Sequence, residues 1–179
     1  NTFDCTGECG GDAVYDNWKR TSVEPQRQDG FSVVYIRVER GDVYANQWGQ
    51  LATIARKYAG GRSRVDQQQN LVFRWVRNES LYDMYLALGD IGFSVAGRET
   101  IRDIVTCPGT DSCKLGITSS MGLNQALGEA LDEMGDIDPL VEKMHIKASG
   151  CPNSCGQHHI ASIGFHGAVM KGPGGQVPA

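Results

Sequence analysis

Thr106-Cys107-Pro108-Gly109-Thr110-Asp111-Ser112-Cys113-Lys114 and, further along, Ser149-Gly150-Cys151-Pro152-Asn153-Ser154-Cys155-Gly156-Gln157 are the most informative stretches of this chain. Each sets two thiols on a loop rich in proline and glycine. Each loop follows a run that reads as a strand, Ile101–Thr106 before Cys107 and Met144–Ser149 before Cys151. Four thiolates on two loops suit a [4Fe–4S] cluster, in which each iron takes one thiolate. Proline fixes the turn, and Gly109, Gly150 and Gly156 let backbone come close to the cluster. Structural zinc favours tighter knuckles, a spacing that the second pair meets and the first does not. Free or disulfide-bonded thiols are the third reading. Spacing alone leaves all three open.

Working outward, Ile160–Phe165 reads as another strand, and Leu123, Leu127, Leu131 and Met134 form a helical stripe over about 119–135. The tail 171–179 shows no core pattern. Upstream, Phe31–Val38 and Leu71–Val76 are β-branched and aromatic strands. Between them Trp48, Leu51, Ile54, Ala55 and Tyr58 follow helical spacing, closed by Gly60-Gly61. Asn78 is placed to cap a helix whose apolar face is Leu81, Met84, Tyr85 and Leu88. The order strand–helix–strand–helix predicts an α+β fold, an α/β sandwich with helices on one face of a sheet. The expected divisions are an irregular lead-in over 1–24, a first domain over 25–97 and a second over 98–179, with the boundary near Ala96-Gly97-Arg98.

Composition narrows the function. The chain has 179 residues, 17 basic against 21 acidic, and a formal charge of −4. That balance argues against a nucleic-acid or anionic-membrane partner. No apolar run approaches the roughly 18 residues of a transmembrane helix, and no secretory pattern is visible, so the cytoplasm is the expected compartment. Six cysteines fall in three pairs. Without a secretory context they read as metal or redox groups rather than a disulfide scaffold. Cys5 and Cys9, on a polar stretch, read as exposed thiols or an adventitious disulfide.

The paired motif C-x₅-C…C-x₃-C resembles the signature of the siroheme nitrite and sulfite reductases. Gln47 with Leu51, Ala52, Ile54 and Ala55, then Arg62-Ser63-Arg64 and Gln68-Gln69-Asn70-Leu71, look like the ferredoxin-like half-domain of that family. The likeness runs over roughly residues 20–170. It implies a ferredoxin-like half-domain followed by a [4Fe–4S]/siroheme-binding α/β domain. It implies that Cys107, Cys113, Cys151 and Cys155 ligate the cluster and that Cys155 bridges to the siroheme iron. Asn153 would sit beside the macrocycle, and Arg64, with Arg62, would either face the porphyrin carboxylates or belong to a solvated loop.

The implied reaction is six-electron reduction of a small anion. Nitrite is favoured because Gly156-Gln157 follows the bridging cysteine, with sulfite as the alternative. The family also implies ferredoxin as electron donor. Its members are longer, with two related halves enclosing the siroheme, and this chain resembles the second. The expectation is therefore part of a reductase whose remaining half supplies the anion-holding basic residues, inactive by itself. A Cys₄ zinc or structural module is the competing class. His158, His159 and His166 are candidate proton donors or supporting residues, Lys114 is a surface lysine by default, and Trp18, Trp48 and Trp75 are expected in cores.

Overall fold

The computed structural model describes residues 11–179. Cys5 and Cys9 lie outside the described residues. The chain divides into two compact units, one running through Val38 and over Asp42–Arg98, the other comprising Glu39–Gly41 and Glu99–Ala179.

In the first unit the strands are β1 (Val23–Pro25), β2 (Phe31–Ile36), β3 (Ser63–Val65) and β4 (Leu71–Arg77), paired antiparallel in the order β1-β2-β4-β3. Helices α1 (Gly11–Ser22), α2 (Ala45–Tyr58) and α3 (Leu81–Gly89) share one core with the sheet. Strand β2 alternates, burying Ser32, Val34 and Ile36. Trp18, Val34, Ile36, Phe73, Val76, Met84 and Leu88 are essentially inaccessible. Each such side chain contributes about 1.5–3 kcal/mol of transfer free energy.

Several expectations are corrected here. The lead-in is helical from Gly11 to Ser22, because Trp18 buries completely and Tyr15 packs against it and against Tyr85. Trp18 alone of the three tryptophans is a core residue; Trp48 and Trp75 are about half exposed. Trp75 sits at a bulge: Ser32 pairs with Val76, but Val34 pairs with Phe73. The extra residue takes φ 64° at Trp75, whose N–H donates to Gln26 Oε1 at 3.0 Å. The bulge lets Phe73 and Val76 both face the core and turns the Trp75 ring out. Asn78 does not cap α3; its Oδ1 accepts from the Ser32 hydroxyl at 2.8 Å.

The second unit has a parallel sheet in the order β5 (Val105–Thr106), β6 (Ile146–Ser149) and β7 (Ile163–His166). Helices α4 (Ser120–Glu133) and α5 (Pro139–Glu142) and the hairpin of β8 (Val169–Gly172) and β9 (Gly175–Pro178) complete it. Its apolar core is small: Ile101, Ile104, Leu131 and Ile146, with Leu127, Val141, Met144 and Ile163 against them.

The strand expected over Ile101–Thr106 shrinks to its last two residues, because residues 100–103 turn on the Asp103 N–H to Thr100 carbonyl bond. The strand expected over Ile160–Phe165 begins later, after a 3-10 turn at His158–Ile160. The tail is not patternless; it forms an exposed hairpin. Met134, just past the end of α4, is exposed, while Ser120 and Asn124 on the helix are buried. Asn124 Nδ2 donates to the Ile104 carbonyl (3.0 Å) and to Thr106 Oγ1 (3.2 Å), fastening the helix to β5. Among the described residues no helix is long and apolar enough to cross a membrane.

Candidate metal centre

All four cysteines of the paired motif fall in the second unit and are free thiols. Strand β5 delivers Cys107, and β6 ends two residues before Cys151. The neighbouring strands fix both loops at their roots, since the Cys107 N–H donates to the Ala148 carbonyl at 3.2 Å. A 3-10 turn at Gly109–Asp111 then brings the chain round, with the Cys113 N–H donating to the Gly109 carbonyl at 3.0 Å.

The two loops clasp each other backbone to backbone. Ile117 and Thr118 both donate to the Gly150 carbonyl, at 2.7 and 3.1 Å. A Cβ on Gly150 would lie 2.6 Å from Gly109 Cα, and one on Gly109 2.7 Å from the Thr118 carbonyl oxygen. Gly109 also holds φ +54°. No side chain fits at this contact, so glycine at both positions is what allows the two cysteine loops to meet.

The thiols differ in surroundings. Cys107 and Cys151 are each 8% exposed, whereas Cys113 and Cys155 are open to solvent. The Gly150 N–H donates to Cys107 Sγ at 3.1 Å, and Ser120 Oγ lies 3.6 Å from the same sulfur. Burial pushes the Cys107 thiol up, but the hydrogen bonds from Gly150, Ser120 and Gly109 outweigh it and hold its pKa below 9.0. That is the chemistry a metal-bound thiolate needs.

Among the described residues no three Cys, His, Asp or Glu side chains form a group that could hold a single metal ion. A [4Fe–4S] cluster takes one thiolate on each iron. Two clasped loops, a donor aimed at one sulfur and two anchored plus two exposed thiols fit that group. Asn153 is exposed, midway between Cys151 and Cys155. Ser154 and Gln157 take left-handed φ of 59° and 61°, strain that a loop keeps only when its surroundings impose it.

Arg64 lies in the other unit. It pairs in register with Val72, on the sheet face opposite the three helices. There Gly60, Arg62, Arg64, Arg74 and Trp75 line a groove of about 300 Å³. None of the three guanidinium groups has a carboxylate partner among the described residues, so the groove carries uncompensated positive charge.

Sequence reasoning overlooked Ser120, Lys147 and Ser149 and left the role of His158 open. Ser120 Oγ donates to the Cys107 carbonyl at 2.6 Å and is 2% exposed. Its signal was available: positions 120, 124, 127 and 131 form a helical stripe as good as the all-apolar one. Lys147 and Ser149, on a central strand buried throughout, gave no such sign.

Both parts of the chain match known proteins. Residues 24–91 match the model of the nitrite/sulfite reductase ferredoxin-like half domain, and residues 97–177 that of the nitrite and sulphite reductase 4Fe-4S domain. The chloroplastic ferredoxin–nitrite reductase of Oryza sativa subsp. japonica is 30% identical over 169 residues, 93% of this chain and 28% of that protein. The Zea mays enzyme of the same name is 33% identical over 172 residues, 93% of this chain and 30% of that protein. The solved structure of the Mycobacterium tuberculosis NirA protein superposes with a TM-score of 0.69 at 25% identity, covering 88% of this chain and 29% of that one. Dissimilatory sulfite reductase I shares the fold, with a TM-score of 0.61 at 14% identity over 79% of this chain and 33% of that one.

The protein is therefore an α+β chain with a ferredoxin-like half-domain and an iron–sulfur domain. It belongs to the nitrite and sulfite reductase family, and it spans 28–30% of the length of those two plant relatives.

Proposed function

We propose that this chain supplies the cluster-bearing part of a siroheme-dependent reductase that converts nitrite to ammonia with electrons from ferredoxin. Cys107, Cys113, Cys151 and Cys155 would hold the [4Fe–4S] cluster, with Cys155 sharing its thiolate with the siroheme iron. When bound, these groups supply single electrons and the iron at which the anion is reduced.

The observation that carries this reading is the Gly109–Gly150 clasp, with the Gly150 N–H aimed at Cys107 Sγ. The clasp joins the two cysteine loops and aims a backbone donor at one of the thiols. Cys107 and Cys151 anchor the frame from the buried side. Exposed Cys155 and Asn153 stay reachable by a flat macrocycle. Arg64, with Arg62 and Arg74, offers fixed positive charge for the macrocycle's carboxylates. The parts of the longer relatives that this chain does not match would complete the enclosure and hold the anion. Nitrite and ferredoxin follow from the names of the relatives, and sulfite is the alternative anion for the same frame.

Anaerobic reconstitution of the chain with iron and sulfide tests the proposal. About four irons and acid-labile sulfide in matching amount, with broad thiolate-to-iron absorption, are expected. One zinc per chain and no sulfide would favour the Cys₄ zinc module and sink the reading. With siroheme added, Arg64→Ala should weaken its binding and Cys155→Ser should abolish its electronic coupling to the cluster. Nitrite should then perturb the spectrum more than sulfite.

A further inference from the structure

The three residues after Cys155 are each fastened to β6. The Gly156 N–H donates to Ser149 Oγ at 3.0 Å. Gln157 Oε1 accepts from Lys147 Nζ at 2.8 Å. His158 Nδ1 lies 2.9 Å from Ser149 Oγ. Lys147 and Ser149 are two apart on the strand and so point to the same side. Both β6 partners and the His158 ring are buried, with Lys147 6%, Ser149 3% and His158 6% exposed. A lysine and a histidine that deep are tolerated only because they are bonded. Gly156 lies flush on the strand, where a Cβ would run into the Ala148 carbonyl.

The hydroxyl of Ser149 is the hub. It accepts from Gly156 and bonds the His158 ring. Without the imidazole its rotor is free, and the Gly156 N–H loses an acceptor held in one place. Gly156 is the residue next to Cys155, so the hub fixes the root of that thiol. The other His158 nitrogen, Nε2, is buried and has no hydrogen-bond partner among the described residues, and the ring packs against His159 (4.1 Å) and His166 (5.1 Å). Among the described residues Nδ1 is therefore the one polar grip on the ring, and it grips Ser149.

We infer that His158 is a positioning residue for the Cys155 thiolate, acting through Ser149 and Gly156, and that the sulfur's direction depends on the His158–Ser149 bond. This rests on the reading of Cys155 as a cluster ligand. The full chain is reconstituted anaerobically as wild type, His158→Asn, His158→Leu, Ser149→Ala and His159→Gln. Two quantities are read: the rate at which an iron chelator bleaches the cluster, and the EPR spectrum of the reduced cluster. Asparagine carries an amide at the reach of Nδ1 and retains the bond; leucine fills the space without it.

Wild type, His158→Asn and His159→Gln should bleach slowly with one common spectrum. His158→Leu and Ser149→Ala should bleach roughly tenfold faster, about the rate equivalent of one lost hydrogen bond, with broadened or shifted lines. Circular dichroism checks folding, and Ser149→Ala carries the test if leucine unfolds the chain. Wild-type rate and spectrum in the bond-lacking variants would overturn the inference, as would an asparagine variant as labile as the leucine one. A wild type that takes up no cluster would instead overturn the reading of the cysteines, and this inference with it.

Discussion

The amide of Gly150 donates to Sγ of Cys107 across 3.1 Å, so the residue that opens one cysteine loop sets the electrostatics of the other. The same glycine has Gly109 Cα 2.6 Å from where its Cβ would stand. Gly150→Ala should therefore cost about 1–3 kcal/mol by overpacking and pull the loops apart. The expected result is a lower urea midpoint for the apo chain and iron–sulfide uptake well below that of wild type. Undiminished uptake would show that the clasp is dispensable.

Ser120→Ala should raise the Cys107 pKa, since it removes one of the bonds that hold it below 9.0 against burial. The alkylation rate of Cys107 against pH, in a chain whose other cysteines are serine, reads this directly. A depressed thiol pKa has a definite sign for stability. The contribution is complete above the unfolded value near 9.0 and is lost as pH falls through the lowered folded value. Unfolding free energy of the reduced apo chain should climb with pH over that window, and climb less in Ser120→Ala.

His158 is held below its ordinary 6.5, first by burial and then by the facing His159 and His166. The unfolded chain thus binds a proton there that the folded chain resists. The neutral ring's contribution is whole above 6.5 and drains away as pH drops towards the folded value. Urea midpoints should fall on acidification below about 6.5, and the fall should be shallower in His158→Asn. An equal fall in both would assign the effect to other groups.

Trp18→Ala should destabilise the chain by about 3–5 kcal/mol, because a fully buried indole leaves a cavity that neighbours fill only in part. Chemical denaturation monitored by circular dichroism measures it. A cost under about 1 kcal/mol would mean that α1 lies outside the cooperative core.

How much of this was legible depended on the signal. The β-branched and aromatic run Phe31–Val38 and the stripe through Leu51, Ile54 and Ala55 marked a strand and a helix, and the structure has both, the strand over Phe31–Ile36. Helix α1 was missed because its hidden side is made of Tyr15, Trp18 and Ser22 in an otherwise polar run. Trp75 was misplaced because hydrophobicity says nothing of a bulge, which reverses the facing of one residue without altering composition.

The sequence by itself determined the chemistry on offer. Two cysteine pairs on glycine-bearing loops, and strands and helices periodic enough to bury one face, are written in residue types and spacings. Only the tertiary structure decided how those loops meet, which thiols are sheltered, and which polar groups hold them. The Gly150–Cys107 bond, the Ser149 hub and the groove of Arg62, Arg64 and Arg74 join residues distant along the chain or on different strands. Spacing along a chain encodes period and facing within an element. It does not encode which elements lie side by side, and that follows from packing of the whole core.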